Sequence, residues 1–225
     1  MPVFQLPKKI QFPDVSYAEK DGLLAVGGDL SEARLLAGYA HGIFPWFNED
    51  ELILWWSPDP RFILLPEKFK ITESLRRTIK KELFQVRFDH AFSKVINLCS
   101  KIGRKDESGT WITPEMRKAY IRLHKAGFAH SVETYYEGKL VGGLYGVSIG
   151  KAFFGESMFH IMPDASKIAL NALVTKAKEW EFLFIDSQVE TMHLKRFGAE
   201  HIPREEYLEL LGRAMKGSTV SGKWR

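Results

Sequence analysis

The stretch His130-Ser131-Val132-Glu133-Thr134-Tyr135-Tyr136-Glu137-Gly138-Lys139-Leu140-Val141-Gly142-Gly143-Leu144-Tyr145-Gly146-Val147-Ser148-Ile149-Gly150-Lys151-Ala152-Phe153-Phe154-Gly155-Glu156-Ser157-Met158 decides the fold. Its β-branched and aromatic residues are divided at Glu137-Gly138 and at Ile149-Gly150, so it reads as three strands over 130–136, 140–149 and 151–158. In the third, a period of two puts Phe154, Glu156 and Met158 on one face and Phe153, Gly155 and Ser157 on the other. A carboxylate between two apolar neighbours is costly unless partnered, either by a Lys or Arg of the protein or by a cation brought by a substrate. Before the strands, Thr113-Pro114-Glu115 starts a helix with Met116, Ala119, Tyr120, Leu123 and Ala126 on one side, ended by Gly127. After them come an amphipathic helix over 165–180, a buried strand over 182–185, a short helix over 193–197 and a last helix over 203–215. Helix, antiparallel meander, crossover helix and strand make an α+β sheet with helices packed on it.

The 225 residues suit one large domain or two small ones. We expect a small N-terminal α/β domain over 1–65 and a catalytic domain over 111–225, with a basic helical region over 66–110 packed against the catalytic domain. The first segment is rich in Gly, Pro and Trp, with a helix over 30–39 capped near Asp29 or Ser31. Short strands over 53–56 and 62–65 flank the turn Ser57-Pro58-Asp59-Pro60. Trp55 and Trp56 suit a small core, whereas Trp46, next to Pro45 and the polar Asn48-Glu49-Asp50, suits a platform on which an unpaired base stacks. Trp111 precedes a helix start, where it serves either as a hydrophobic staple or as a second aromatic contact.

Composition excludes several classes. Hydrophobic residues make up 45% and charged ones 27%, an ordinary globular balance. No apolar run approaches the roughly 18–20 residues of a membrane span, and Met1-Pro2-Val3-Phe4-Gln5 does not begin a signal peptide, so the expected location is the cytosol. Cys99 is the one cysteine and, with Val95, Ile96 and Ile102, suits a buried helix face. The net charge is +4, but residues 66–106 hold eleven Lys/Arg against five Asp/Glu. Within them Leu75, Ile79 and Leu83 form an apolar stripe of a helix capped by Thr72, and Arg76, Arg77, Lys80 and Lys81 share the opposite face. Such a face is either simply solvated or in contact with a phosphate backbone, and charge alone does not choose.

A second polar cluster ends the apolar run Phe182-Leu183-Phe184-Ile185 at Asp186-Ser187-Gln188, a favoured edge for a site. Asp186 there either acts in chemistry or caps the next turn. The seven His form no H-x-x-x-H pair, no G-x-S-x-G elbow or phosphate loop occurs, and no metal is expected. The order of elements is similar to the GNAT-like (acyl-CoA N-acyltransferase-like) fold, yet no Gly-rich pyrophosphate loop for coenzyme A is present. That pairing suggests another acyl donor. Two rival classes are a coenzyme A-dependent N-acetyltransferase, disfavoured by the missing loop, and a non-catalytic RNA-binding module, which leaves Asp186-Ser187-Gln188 idle.

Seven blocks taken in series resemble the leucyl/phenylalanyl-tRNA–protein transferase family. They are Gly22–Leu30 with Gly42–Phe47, Trp55–Arg61, Gly109–Thr113, His130–Glu133, Val141–Val147, Gly155–Phe159 and Ile185–Gln188. The resemblance implies a cytosolic, cofactor-free aminoacyltransferase that moves Leu or Phe, and less readily Met, from aminoacyl-tRNA. It implies as acceptor the α-amine of an N-terminal Arg or Lys, with the product an N-degron passed to the N-end rule protease adaptor. By position, Asp186 and Gln188 resemble the catalytic pair and Glu156 the acidic residue near the acceptor. Tyr120, Leu144, Phe153 and Met158 resemble the pocket for the transferred side chain, with Leu144 where the family commonly has Met. Trp46 and Trp111 resemble residues around the terminal adenosine, and Arg76, Arg77, Lys80 and Lys81 then face the acceptor stem.

Overall fold

The computed structural model describes residues 3–101 and 111–225, so Ile102, Gly109 and Thr110, named in the sequence patterns, lie outside the described residues. The chain begins with β1 (Phe4–Leu6), β2 (Leu23–Gly27), α1 (Glu32–Ala40), β3 (Phe44–Pro45) and β4 (Leu54–Trp56). These strands form one sheet in the order β1-β2-β4-β3, with β1 parallel to β2 and the other pairs antiparallel. Ser31 caps α1 by accepting from Arg34 N, and Asp29 in turn accepts from Ser31 N at 2.8 Å. Trp55 is wholly buried with Leu24, Ala25, Leu35 and Tyr39, while Trp56 is only partly covered.

The remainder comprises β5 (Arg61–Leu64), α2 (Glu73–Lys80), β6 (Gln85–Phe88), α3 (Phe92–Lys101), α4 (Pro114–Lys125), β7 (Ala129–Tyr136), β8 (Lys139–Ile149) and β9 (Ala152–His160). The chain then forms α5 (Ala165–Glu179), β10 (Phe184–Asp186), α6 (Met192–Lys195), β11 (Glu200–Ile202) and α7 (Arg204–Met215). Seven strands run β11-β5-β10-β9-β8-β7-β6. The meander β7-β8-β9, the crossover α5 and the strand β10 parallel to β9 are the order expected of a GNAT-like domain, and the molecule is α+β. The two apolar clusters separate across the sheet. One gathers Met116, Tyr120, Tyr145, Phe154 and Tyr207 with the core of the first sheet, and the other gathers Leu75, Leu144, Phe153, Leu170 and Ile185 under α5. Among the described residues no helix is long and apolar enough to cross a membrane.

Three features differ from the reading of the sequence. First, α2 stops at Lys80 with Lys81 as its C-cap, and Glu82 takes a left-handed φ of 50°, so Leu83 leaves the stripe and is half exposed while Leu75 is wholly buried. Second, the alternation along β9 breaks. Tyr145 faces Ser157 and Gly146 faces Gly155, which makes Glu156 the extra residue of a β-bulge. The bulge moves Met158 to the side of Phe153 and Leu144, and Phe159 to the side of Phe154. Third, β5 lies within the first segment as read from sequence but pairs antiparallel with β10 and β11 in the larger sheet.

Candidate active site

β9 and β10 are paired only where Ala152–Phe154 meet Phe184–Asp186; beyond that β9 continues to His160 and β10 ends. Asp186 sits at the point of parting and is wholly buried. Its carboxylate is enclosed by donors. Arg61 Nε donates to Oδ1 at 3.0 Å and Nη2 to Oδ2 at 2.7 Å, Tyr207 Oη donates to Oδ2 at 2.8 Å, and the Gln188 main-chain N donates to Oδ1 at 2.9 Å. Of the two readings of Asp186, the structure shows the cap: the carboxylate accepts from the Gln188 main chain and so fixes Gln188, whose φ is 60°. Arg61 lies between the rings of Phe44 and Tyr207 at 4.8 and 4.6 Å and also donates to the Gly42 carbonyl at 3.2 Å. Burial is the largest influence and works against its cation, but Asp186 and Tyr207 together outweigh it and hold the Arg61 pKa above its ordinary value.

Glu156 is partly exposed, in the run Gly155–Met158 that β10 no longer flanks. Among the described residues its hydrogen-bond partners are hydroxyls rather than a Lys or Arg. Tyr39 on α1 donates to Oε1 at 2.6 Å, Tyr120 on α4 donates to Oε2 at 3.0 Å, and the two hydroxyls touch each other. Burial of the carboxyl is the largest influence and the nearby Asp186 charge adds to it. The tyrosine hydrogen bonds and Arg61 oppose them, and the balance leaves Glu156 pushed up to about 7. Burial also raises both tyrosines well above their ordinary value, so they stay protonated as donors. Two carboxylates thus differ in kind. Asp186 is wholly buried and held by a guanidinium, a hydroxyl and a main-chain N–H, and Glu156 is partly exposed and held by two hydroxyls.

The residues read as a side-chain pocket divide. Leu144, Phe153 and Met158 lie on the α5 side of the sheet, with Leu144 directly opposite Met158. Tyr120 lies on the other side, beneath Glu156, so it supports a carboxylate instead of lining that apolar wall. Trp46 is the more exposed indole of its sheet at 37%, 6.0 Å from the ring of Trp56, which donates to the Trp46 carbonyl at 2.7 Å. Trp111 is half-buried against the core. Arg76, Arg77, Lys80 and Lys81 are all exposed, and α2 is anchored through Thr78 Oγ1, which donates to Asp164 at 2.9 Å. Arg61, Tyr207 and Tyr39 escaped sequence reasoning. The one available signal was an Arg opening the apolar strand Phe62-Ile63-Leu64, where a charge demands a buried partner.

Two surface clefts, of about 350 and 410 Å³, lie away from these groups, one between β5, β11 and α7 and the other between Phe12–Val15 and α7. The chemistry of the parted strands outweighs cleft size as a guide, because ionisable groups converge there.

The family model described as leucyl/phenylalanyl-tRNA protein transferase matches residues 63–212, and the model of that family's N-terminal domain matches 28–59. A leucyl/phenylalanyl-tRNA–protein transferase of Myxococcus xanthus (strain DK1622) is 54% identical, covering 100% of this chain and 97% of its own. One of Desulfatibacillum aliphaticivorans is 52% identical, covering 100% and 96%. Among solved structures, a conserved protein of unknown function from Bacteroides thetaiotaomicron VPI-5482 is 12% identical with a TM-score of 0.45, over 61% of this chain and 53% of its own.

Proposed function

This chain belongs to the leucyl/phenylalanyl-tRNA–protein transferase family, and from that premise we propose how it moves an aminoacyl group from tRNA to protein. The donors are Leu-tRNA and Phe-tRNA, with Met-tRNA poorer, and the acceptor is the α-amine of a protein whose first residue is Arg or Lys. The product is an N-degron, delivered to the adaptor of the N-end rule protease in the cytoplasm. The chain is organised as a small N-terminal domain over 1–65, a basic helical region over 66–110 and a catalytic domain over 111–225, with β5 of the first segment reaching into the larger sheet.

The neutral amine attacks the ester carbonyl, the C–O bond to the terminal ribose breaks, the ribose oxygen takes up a proton and leaves as a hydroxyl, and an amide forms with loss of one amine proton, so no ATP is needed. An α-amine of pKa about 8 is only ~10% neutral at pH 7, and its proton has to leave. The observation that carries the reading is that Glu156, partly exposed where Asp186 is wholly buried, has its carboxyl pushed up to about 7 by burial while two tyrosine hydroxyls hold it in place. A carboxylate so placed pairs with the cationic terminus and is far better matched to the proton of an amine than an ordinary one. Asp186 contributes position: held by Arg61 and Tyr207, it fixes the Gln188 backbone, and the Gln188 amide oxygen receives the amine. Holding amine and ester together is worth up to about 7–11 kcal/mol. Leu144, Phe153 and Met158 receive the transferred side chain, Trp46 and Trp111 the terminal adenosine, and Arg76, Arg77, Lys80 and Lys81 the acceptor stem.

The deciding assay supplies radiolabelled Leu-tRNA and a protein with N-terminal Arg, with and without ribonuclease. Label in the protein only when the tRNA is intact is the expected result. Labelling from acetyl-CoA, or tRNA binding without transfer, overturns it.

A further inference from the structure

The segment after α7 crosses back over the larger sheet and buries Trp224, which is 2% exposed. Its path is fixed by the backbone. Gly150 N donates to Thr219 Oγ1 at 2.8 Å, Gly222 N donates to the Gly127 carbonyl at 3.1 Å, and Trp224 N donates to Asp89 Oδ2 at 2.8 Å. Asp89 is itself held, accepting from Ser131 N at 2.8 Å and lying 2.8 Å from His130 Nδ1. The indole stacks on His130 at 3.9 Å and 6°, and meets Trp180 edge-on at 4.7 Å. Its Nε1 donates to the Val220 carbonyl at 3.1 Å. An indole fixed by three contacts of this kind is a rigid wall.

That wall stands 5.8 Å from the ring of Phe153. Phe153 also lies against Gly146, where an added Cβ would meet the Phe154 carbonyl oxygen at 2.2 Å and the Phe153 ring at 2.6 Å, so the close approach of both requires a glycine. Phe153 is wholly buried and shares its side of the sheet with Leu144 and Met158. Trp224 packs against one side of that ring.

We infer that Trp224 is a specificity-positioning residue: by backing Phe153 it sets the depth of the pocket that receives the transferred side chain, and so the balance between Phe and Leu. This rests on the reading of Phe153 as a pocket wall. A residue that only completed the core would, when truncated, depress both donors alike. A residue that sets depth changes their ratio, because a hydrophobic pocket discriminates by the volume it leaves.

The test measures kcat/KM for Phe-tRNA and Leu-tRNA, with one acceptor protein, for the wild type, Trp224→Leu, Trp224→Ala and Phe153→Ala. With the indole gone, Phe153 withdraws into the vacated space and the larger side chain gains. We expect the Phe/Leu ratio to rise about 3-fold or more in Trp224→Ala and by less in Trp224→Leu. Near-ultraviolet circular dichroism identifies which variants fold, and either folded Trp224 variant decides. An unchanged ratio in it, with the ratio shifted in Phe153→Ala, overturns the role of Trp224. An unchanged ratio in Phe153→Ala as well overturns the pocket reading, and this inference with it.

Discussion

At the scale of single residues, the two carboxylates show how environment divides labour between like groups. Asp186 and Arg61 are both wholly buried and bound bidentately, so removing one strands the other. Arg61→Ala should therefore lose about 3–5 kcal/mol of stability, read from the urea midpoint at unchanged slope. A loss below about 1 kcal/mol would mean that water reaches the pair. Glu156 behaves otherwise. As pH rises through about 7 it ionises, so kcat/KM for an acceptor with N-terminal Arg should rise across that range before the amine's own titration adds a second limb. Glu156→Gln should remove the lower limb. Tyr39→Phe should shift it to higher pH, since the lost hydrogen bond is one that holds the Glu156 pKa down. A profile identical in all three proteins refutes the assignment. Much of this was legible in the sequence: Glu156 stood out as an acid in an apolar strand, and Asp186 with Gln188 as a polar pair at a strand end. Their partners did not, because Arg61, Tyr39 and Tyr207 lie 125, 117 and 21 positions from the acids they serve, and no local pattern records such a contact.

At the scale of elements, the long meander, α4, α5 and α7 were readable because each is long enough to display its period. The strands β1, β3 and β11 were not, having only two or three residues each. The bulge in β9 was also hidden. A period of two predicts both faces of a strand until one extra residue inverts them, and nothing in Gly155-Glu156-Ser157 announces the inversion. Its effect is large: without it Met158 would not share a side with Phe153 and Leu144. The basic helix α2 offers a test of its own. Its four cations are exposed, and the pair between Arg77 and Glu73, both 72% exposed at 3.5 Å, does little to engage them. Replacing Arg76 and Lys80 with Ala should raise KM for charged tRNA and reduce the steepness of its salt dependence by about 1 to 2 units in log-log slope. Equal slopes for wild type and variant would remove α2 from the tRNA surface.

At the scale of the molecule, the first sheet and the larger one share an apolar cluster, from Leu24 and Trp55 through Tyr39 to Tyr120 and Tyr145. Continuity of this kind couples unfolding. Heat or urea should melt both units in one transition, with tryptophan fluorescence and far-ultraviolet circular dichroism coincident. Two separated midpoints would show the units to be independent. The Trp-rich composition marks the first segment, but it does not show that β5 inserts between β10 and β11 of the larger sheet, because both partners lie more than 100 positions downstream.

Glu156 is gripped by Tyr39 from α1, and the guanidinium that cradles Asp186 also leans on the carbonyl of Gly42. Neither acid of the larger sheet is therefore set by that sheet alone. Cut upstream of Arg61, or graft a foreign module in place of the first segment, and Glu156 loses Tyr39 while Arg61 loses the Gly42 carbonyl. Any engineering by fusion or domain exchange has to carry the segment upstream of Arg61 along as part of the chemistry, not as an optional leader.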